Sequence, residues 1–290
     1  MRIGAFLDSA GTPRQMVDRI RRAVALGFAN VWVNQTPGGW EPLTVLAAAG
    51  QQPVEVGTAV AVTYPQHPVV LAERALTTQA LTGGRLTLGI GPSHEWAITG
   101  RLGIPYTRPA AHTREYLEIL RPLLRGEAVS HRGELLAAQA QLALDAPAPS
   151  VLVSALGPRM LEVAADLADG TIATWVRPDV VEGYLRPRIG DGRLVVTVLV
   201  AVTDDPDGAR ERVAEQFAMV GDMPAYRAAL DRGGLRGPAD TLVAGDEEVV
   251  RREIARFADA GTTDFIVCPF GEVERTLEFT ATLSAGAGAV

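Results

Sequence analysis

The chain has 290 residues, 47% of them apolar and 21% charged, with a formal net charge of −7 at pH 7. That composition suits a chain able to bury a sizeable core and disfavours a nucleic-acid-binding surface. All 27 basic residues are arginine, which excludes a lysine Schiff base, and the one cysteine, Cys268, excludes an intrachain disulfide. A lysine-free chain rich in Ala, Gly and Arg also points to a GC-rich bacterial genome. The apolar run at the N-terminus is too short for a signal peptide, and no run reaches about 18 apolar residues. A cytoplasmic protein with no membrane partner is therefore expected.

Residues 2–7 read as a first strand. Thr12-Pro13-Arg14-Gln15 then has the form of a capping box with proline at the first helical position. Met16, Ile20, Ala23 and Val24 share one face of that helix, and Gly27 is its stop. Strands are expected at 30–33 and 54–62, a helix from Pro68 to Gly83-Gly84, and a fourth strand at 85–90. Residues 91–141 exceed a simple connection; they carry a helix at 113–124, interrupted at Pro122, and a polar hairpin at SHRGELL. Strands at 150–153, 171–175, 194–203 and 264–267 complete the set. Residues 204–241 are expected to hold one long helix or two, and Asp246 to cap the helix of Val250, Ile254 and Phe257.

Short apolar strands alternating with amphipathic helices imply an all-parallel sheet. Eight such units in a chain of this length favour a closed (β/α)8 barrel, with insertions after strands 4 and 7 that would lie near the rim. One domain is expected over 1–284, with 285–290 as a disordered tail.

In such a barrel catalysis belongs at the C-terminal ends of the strands. Those ends read Asp8, Asn34-Gln35-Thr36, Thr63-Tyr64, Gly91-Pro92-Ser93-His94, Ser154 to Gly157, Trp175 and Cys268-Pro269. His67, His94, His112 and His131 lack metal-ligand spacing, and no G-x-S-x-G elbow occurs, so no metal is expected. A neutral mouth suits chemistry carried by a bound organic cofactor. The run SVLVSALGPRMLEVAADLADG at 150–170 is a strand that turns directly into a helix, with Pro158 at its first position. The turn Ser154-Ala155-Leu156-Gly157 thus forms the mouth of a helix N-terminus, an anion seat with Arg159 beside it. Gly89 and Gly91 would let a flat ring approach the fourth strand, or simply pack inside the barrel. Trp40, Tyr64, Trp96 and Trp175 could wall an apolar cavity or belong to the core.

Three stretches together carry a resemblance: VGTAVAVTYPQHPVVLAERALTTQALTGGRLTLGIGPSH, RPAAHTREYLEILRPLLRG and SVLVSALGPRMLEVAADLADG. The chain resembles the bacterial luciferase-like monooxygenase superfamily over nearly its whole length. More narrowly, it resembles the branch that uses the deazaflavin F420 in actinobacteria. The resemblance implies a TIM barrel binding F420, or alternatively FMN, at its mouth, and a homodimer acting on a small molecule. It implies a non-proline cis peptide at Ala59-Val60 and a phosphate-binding turn at Ser154-Ala155-Leu156-Gly157. Asp8, Asn34, Gly91 and Ser93 complete the expected cofactor contacts.

The pattern also departs from the family. Sugar-phosphate dehydrogenases of this branch carry Asp-His after the second strand and Glu after the fourth, where Gln35-Thr36 and His94 stand here. Their substrate is therefore not carried over. His94 is the expected proton donor, since an imidazole titrates at about pH 6.5. His67 is expected to cap the helix after the third strand, and His112 to pack near Arg108 and Glu115. The expected activity is hydride transfer between F420 and a carbonyl, imine or activated alkene. An FMN-dependent monooxygenase and a non-catalytic flavin-binding relative are the alternatives.

Overall fold

A computed structural model describes residues 1–285. The first strands are β1 (Arg2–Leu7), β2 (Asn30–Val33), β3 (Glu55–Thr58) with its continuation β4 (Ala61–Val62), and β5 (Leu86–Gly91). An antiparallel pair, β6 (Val129–Arg132) and β7 (Ala137–Ala140), stands apart from them. Then come β8 (Ser150–Ser154), β9 (Gly170–Thr174), β10 (Arg193–Val202), β11 (Val243–Gly245) and β12 (Asp264–Pro269). Parallel pairing runs β1-β2-β3-β5-β8-β9-β10-β12 and returns to β1, which closes an eight-stranded TIM barrel. All eight expected strands are present. The third breaks at Ala59-Val60, whose peptide bond is cis, as the resemblance implies. The short β11, paired with the end of β10, lies outside the expected eight.

The helices are α1 (Pro13–Leu26), α2 (Pro42–Ala49), α3 (Pro68–Leu81), α4 (Pro109–Leu124), α5 (Pro158–Leu167) and α6 (Pro178–Val180). They continue with α7 (Arg186–Ile189), α8 (Pro206–Gln216), α9 (Pro224–Arg232), α10 (Glu247–Asp259) and α11 (Val273–Ala285). The expected tail lies outside the described residues beyond 285, the last residue of α11. Helix α4 is not interrupted at Pro122 but runs through it to Leu124. A proline there frees only the carbonyl four residues back, on Glu118, whose exposed position lets water take it. Among the described residues, no helix is long and apolar enough to cross a membrane.

Capping follows the local code. Thr12 accepts from the Gln15 N–H at 3.3 Å while the Gln15 side chain accepts from the Thr12 N–H at 2.8 Å. Gly27 ends α1 at φ 98°, a left-handed geometry that a Cβ would oppose. Thr12→Ala should cost about 1 kcal/mol of stability, read as a lower urea midpoint with an unchanged slope.

Strand alternation sorts side chains into two sets. Ile3, Ala5, Leu7, Val31, Val33, Val151, Val153, Val196 and Val198 point outward into the layer between strands and helices. Trp32, Leu152, Ile172, Val195 and Ile266 fill the barrel interior, with Phe6, Ala59 and Val60 packed against them. Gly57 leaves room for the indole, since a Cβ there would lie 2.5 Å from Trp32. At the N-terminal end the barrel is plugged by charge: Arg193 bonds Asp264 at 2.8 and 2.9 Å and Glu55 at 2.6 Å.

Candidate active site at the barrel mouth

Two residues beyond each interior side chain, the same alternation delivers a side chain to the C-terminal mouth. Phe6 leads to Asp8, Trp32 to Asn34, Leu152 to Ser154, Ile172 to Thr174 and Ile266 to Cys268. All five of these successors line a cavity of about 600 Å³, together with Ala59 and Val60. Four aromatic rings, Trp175, Phe217, Tyr226 and Phe270, form another part of its wall. Of the aromatic residues expected there, only Trp175 takes part. Trp40 and Trp96 are each 46% exposed, and Tyr64 instead stacks on His112 with centroids 3.9 Å apart.

Each expected site residue has a definite place. Asp8 accepts from Arg19 at 2.8 Å and from the Ala10 N–H at 3.1 Å, so it caps its turn as well as lining the cavity. Asn34 Oδ1 is buried without a hydrogen-bond partner and lines the cavity, an acceptor available to a bound donor. Gln35 is committed elsewhere: it accepts from the Val62 N–H at 2.8 Å and holds β4 against β2. Gly91 sits behind the cis segment, where a Cβ would lie 2.9 Å from Val60 and 3.1 Å from Ser154. Ser93 has φ 65°, and its carbonyl accepts from the Tyr106 hydroxyl at 2.9 Å.

The turn after β8 joins two spaces. Ser154 lines the main cavity, Ala155 and Leu156 are buried, and Gly157 and Arg159 line a second depression of about 560 Å³. That depression lies between the first turns of α4 and α5, with Arg108 on its opposite wall. Neither helix has a side-chain cap, so their first N–H groups face it unsatisfied by side chains.

His94 is half-buried and does not itself line the main cavity; its Nε2 lies 3.1 Å from the Tyr226 hydroxyl, which does. Burial holds the His94 pKa below its ordinary value, so the ring is neutral at pH 7. Burial pushes the Tyr226 hydroxyl up to about 12 and also raises the Cys268 thiol, with Asp8 adding to the latter. Both keep their protons, and Cys268 is no nucleophile. His67 caps α3 as expected, accepting from the Val69 N–H at 3.3 Å. Tyr226, Phe217 and Phe270 join the wall without any signature in the sequence. Nothing in the local pattern PAYRAALDR separates a cavity tyrosine from an ordinary helix face.

Comparison with known proteins agrees with this geometry. A family model described as luciferase-like monooxygenase matches residues 1–278. The 5,10-methylenetetrahydromethanopterin reductase of Methanolobus tindarius is 26% identical over 238 residues, covering 76% of this chain and 72% of that protein. An F420-dependent secondary alcohol dehydrogenase, solved with an F420–acetone adduct, superposes with a TM-score of 0.83 at 18% identity over 97% of each chain. The oxygenating constituent of 3,6-diketocamphane monooxygenase from Pseudomonas putida, solved with FMN, gives 0.73 at 18% identity over 99% of both chains.

Proposed function

The chain belongs to the luciferase-like monooxygenase family, a family of oxidoreductases, and on that premise we propose an F420-dependent enzyme that moves hydride to or from a small neutral organic molecule. A carbonyl, an imine and an activated alkene are the substrate classes in view. The likeness to the F420-dependent alcohol dehydrogenase favours F420 over FMN. The observation that carries a ring cofactor with a phosphate is the turn 154–157, which ties the mouth cavity to the uncapped N-terminus of α5. A planar ring and a phosphate joined by a short linker need that combination.

The residues present fit such a group. Gly91 lets Val60 and Ser154 seat close against β5, where a Cβ would push them out, and Asn34 Oδ1 waits for a donor. Gly157, Arg159 and the first N–H groups of α5 would hold phosphate, while Arg108 on the opposite wall is already paired with Glu134. When bound, the deazaflavin supplies a two-electron hydride carrier that reacts poorly with oxygen. Trp175, Phe217 and Phe270 give the mouth an apolar wall, and His94 with Tyr226 can hold a proton there. A homodimer completes the proposal; Val70 and Leu81 on α3 are exposed apolar residues that a partner would cover, and light scattering tests it.

Side-by-side fluorescence titration with F420 and FMN is the test. Binding of F420 alone at micromolar Kd or tighter, about −8 kcal/mol, is the expected result. Preference for FMN, as in the neighbour solved with it, would replace this reading with an oxygen-using monooxygenase. Gly91→Ala should weaken F420 binding at least about tenfold, because its methyl must displace Val60 or Ser154 toward the ring.

A further inference from the structure

We infer that Tyr226 donates the hydrogen bond that holds a substrate's carbonyl oxygen, and that His94 is the positioning residue behind it. This deepens the function proposed above and rests on it. The two residues are 132 positions apart, on the two insertions at the rim: His94 follows β5, and Tyr226 lies on α9 between β10 and β11. Nε2 and hydroxyl are 3.1 Å apart, and the rings meet edge to face with centroids at 4.8 Å. Only Tyr226 of the pair reaches the cavity wall.

Its surroundings define what it can bind. The Trp175 ring lies 6.3 Å from Tyr226, Phe217 lies 5.3 Å from Trp175, and Phe270 lies 6.4 Å from Phe217. A neutral hydroxyl in an aromatic wall suits a neutral acceptor on an apolar body, not an anion. The arginines that border the cavity are already engaged, Arg19 with Asp8 at 2.8 Å and Arg22 with Glu278 at 3.0 Å. A ketone or aldehyde with an apolar substituent matches this wall.

His94 gives the hydroxyl a direction. With the ring proton on Nε2, the imidazole donates to the Tyr226 oxygen and leaves the phenol proton free to turn into the cavity. The backbone that aims the imidazole is held in an uncommon state. Ser93, immediately before His94, has φ 65°, and Trp175, which faces Tyr226, has φ 57°. Two non-glycine residues in left-handed geometry beside one hydrogen-bonded pair mark a place where side-chain direction is imposed by the surroundings. Tyr106 locks the first of them through its bond to the Ser93 carbonyl.

The probe is 4-(dimethylamino)benzaldehyde, whose absorption moves to longer wavelength as its carbonyl oxygen accepts a stronger hydrogen bond. The full chain should shift the dye band on binding. Tyr226→Phe should abolish the shift and weaken dye binding roughly fivefold, with a cooperative thermal transition only slightly lowered by the lost His94 hydrogen bond. His94→Ala should give a smaller shift, and His94→Gln, whose amide can still donate to the tyrosine oxygen, should restore it. An equal shift in wild type and Tyr226→Phe, or no shift in wild type, overturns the inference. F420 titration of the same proteins separates the two readings: the Kd should stay micromolar in Tyr226→Phe, whose ring still fills its part of the wall. If no variant binds F420 while the dye shift still depends on Tyr226, the cofactor assignment fails and the donor assignment stands.

Discussion

Arg193→Met should lower the stability of the fold by about 3 kcal/mol, measured by urea unfolding with an unchanged slope. Its guanidinium spans the floor of the barrel, bonding Asp264 on β12, Glu55 on β3 and the Thr87 hydroxyl on β5. The Asp264 side chain is 1% exposed. Burial pushes its carboxyl up, yet Arg193, Arg2 and Thr263 outweigh this and hold it below its ordinary value. Removing one partner from a buried ion pair costs about 3–5 kcal/mol because the other charge stays behind. Arg2 still lies 2.6 Å from Asp264, which places this site at the lower end. Adding Asp264→Asn to Arg193→Met should recover a good part of the loss, since Arg2 and Glu55, 2.9 Å apart, are then left as a one-to-one pair. A loss under about 1 kcal/mol for the single variant would mean that Arg2 alone neutralises the floor.

The second large effect is acid destabilisation through His112. Its ring is 7% exposed and stacks on Tyr64, and its Nε2 is buried with no partner. Burial drives its pKa from the ordinary 6.5 down to about 4, with Glu115 pulling weakly the other way. Above pH 6.5 the imidazole is neutral in folded and unfolded chains alike, so its contribution is fully present. As pH falls from there toward 4, the unfolded chain takes a proton that the fold refuses. Stability then declines by about 3 kcal/mol in total. His112→Phe keeps the stack and removes the titration. The difference in unfolding free energy between variant and wild type should be flat above pH 7 and grow in the variant's favour below pH 6. A difference independent of pH would place the His112 titration in its ordinary range. His112 also lies close to the site by packing: Tyr64 lies 5.0 Å from Tyr106, and Tyr106 holds the Ser93 carbonyl beside His94.

Much of this molecule was legible in its residues, for reasons that differ from element to element. Val151-Leu152-Val153 and Leu194 to Val202 are apolar on both faces, and only a strand between interior and helix layer explains that. Thr12 with Gln15, and His67 before Pro68, announce helix starts because the bonds that make a cap close within three residues. The cis bond at Ala59-Val60 came with the family resemblance, not from any periodicity. Pro122 misled because a proline reads as a break wherever it occurs, although in a last turn with an exposed carbonyl it costs little.

The amino-acid sequence by itself determined the barrel, the strand ends that reach its mouth and the turn at 154–157, since each depends on backbone periodicity or on contacts a few residues apart. Only the tertiary structure decided that Tyr226 meets His94, that Gln35 braces Val62 instead of the site, and that Arg193, Asp264 and Glu55 share one floor. Those pairings depend on how the closed sheet staggers its strands and on where two long insertions fold back over the rim. No local pattern records either, because the same helix or loop sequence would serve equally well facing any neighbour of matching polarity.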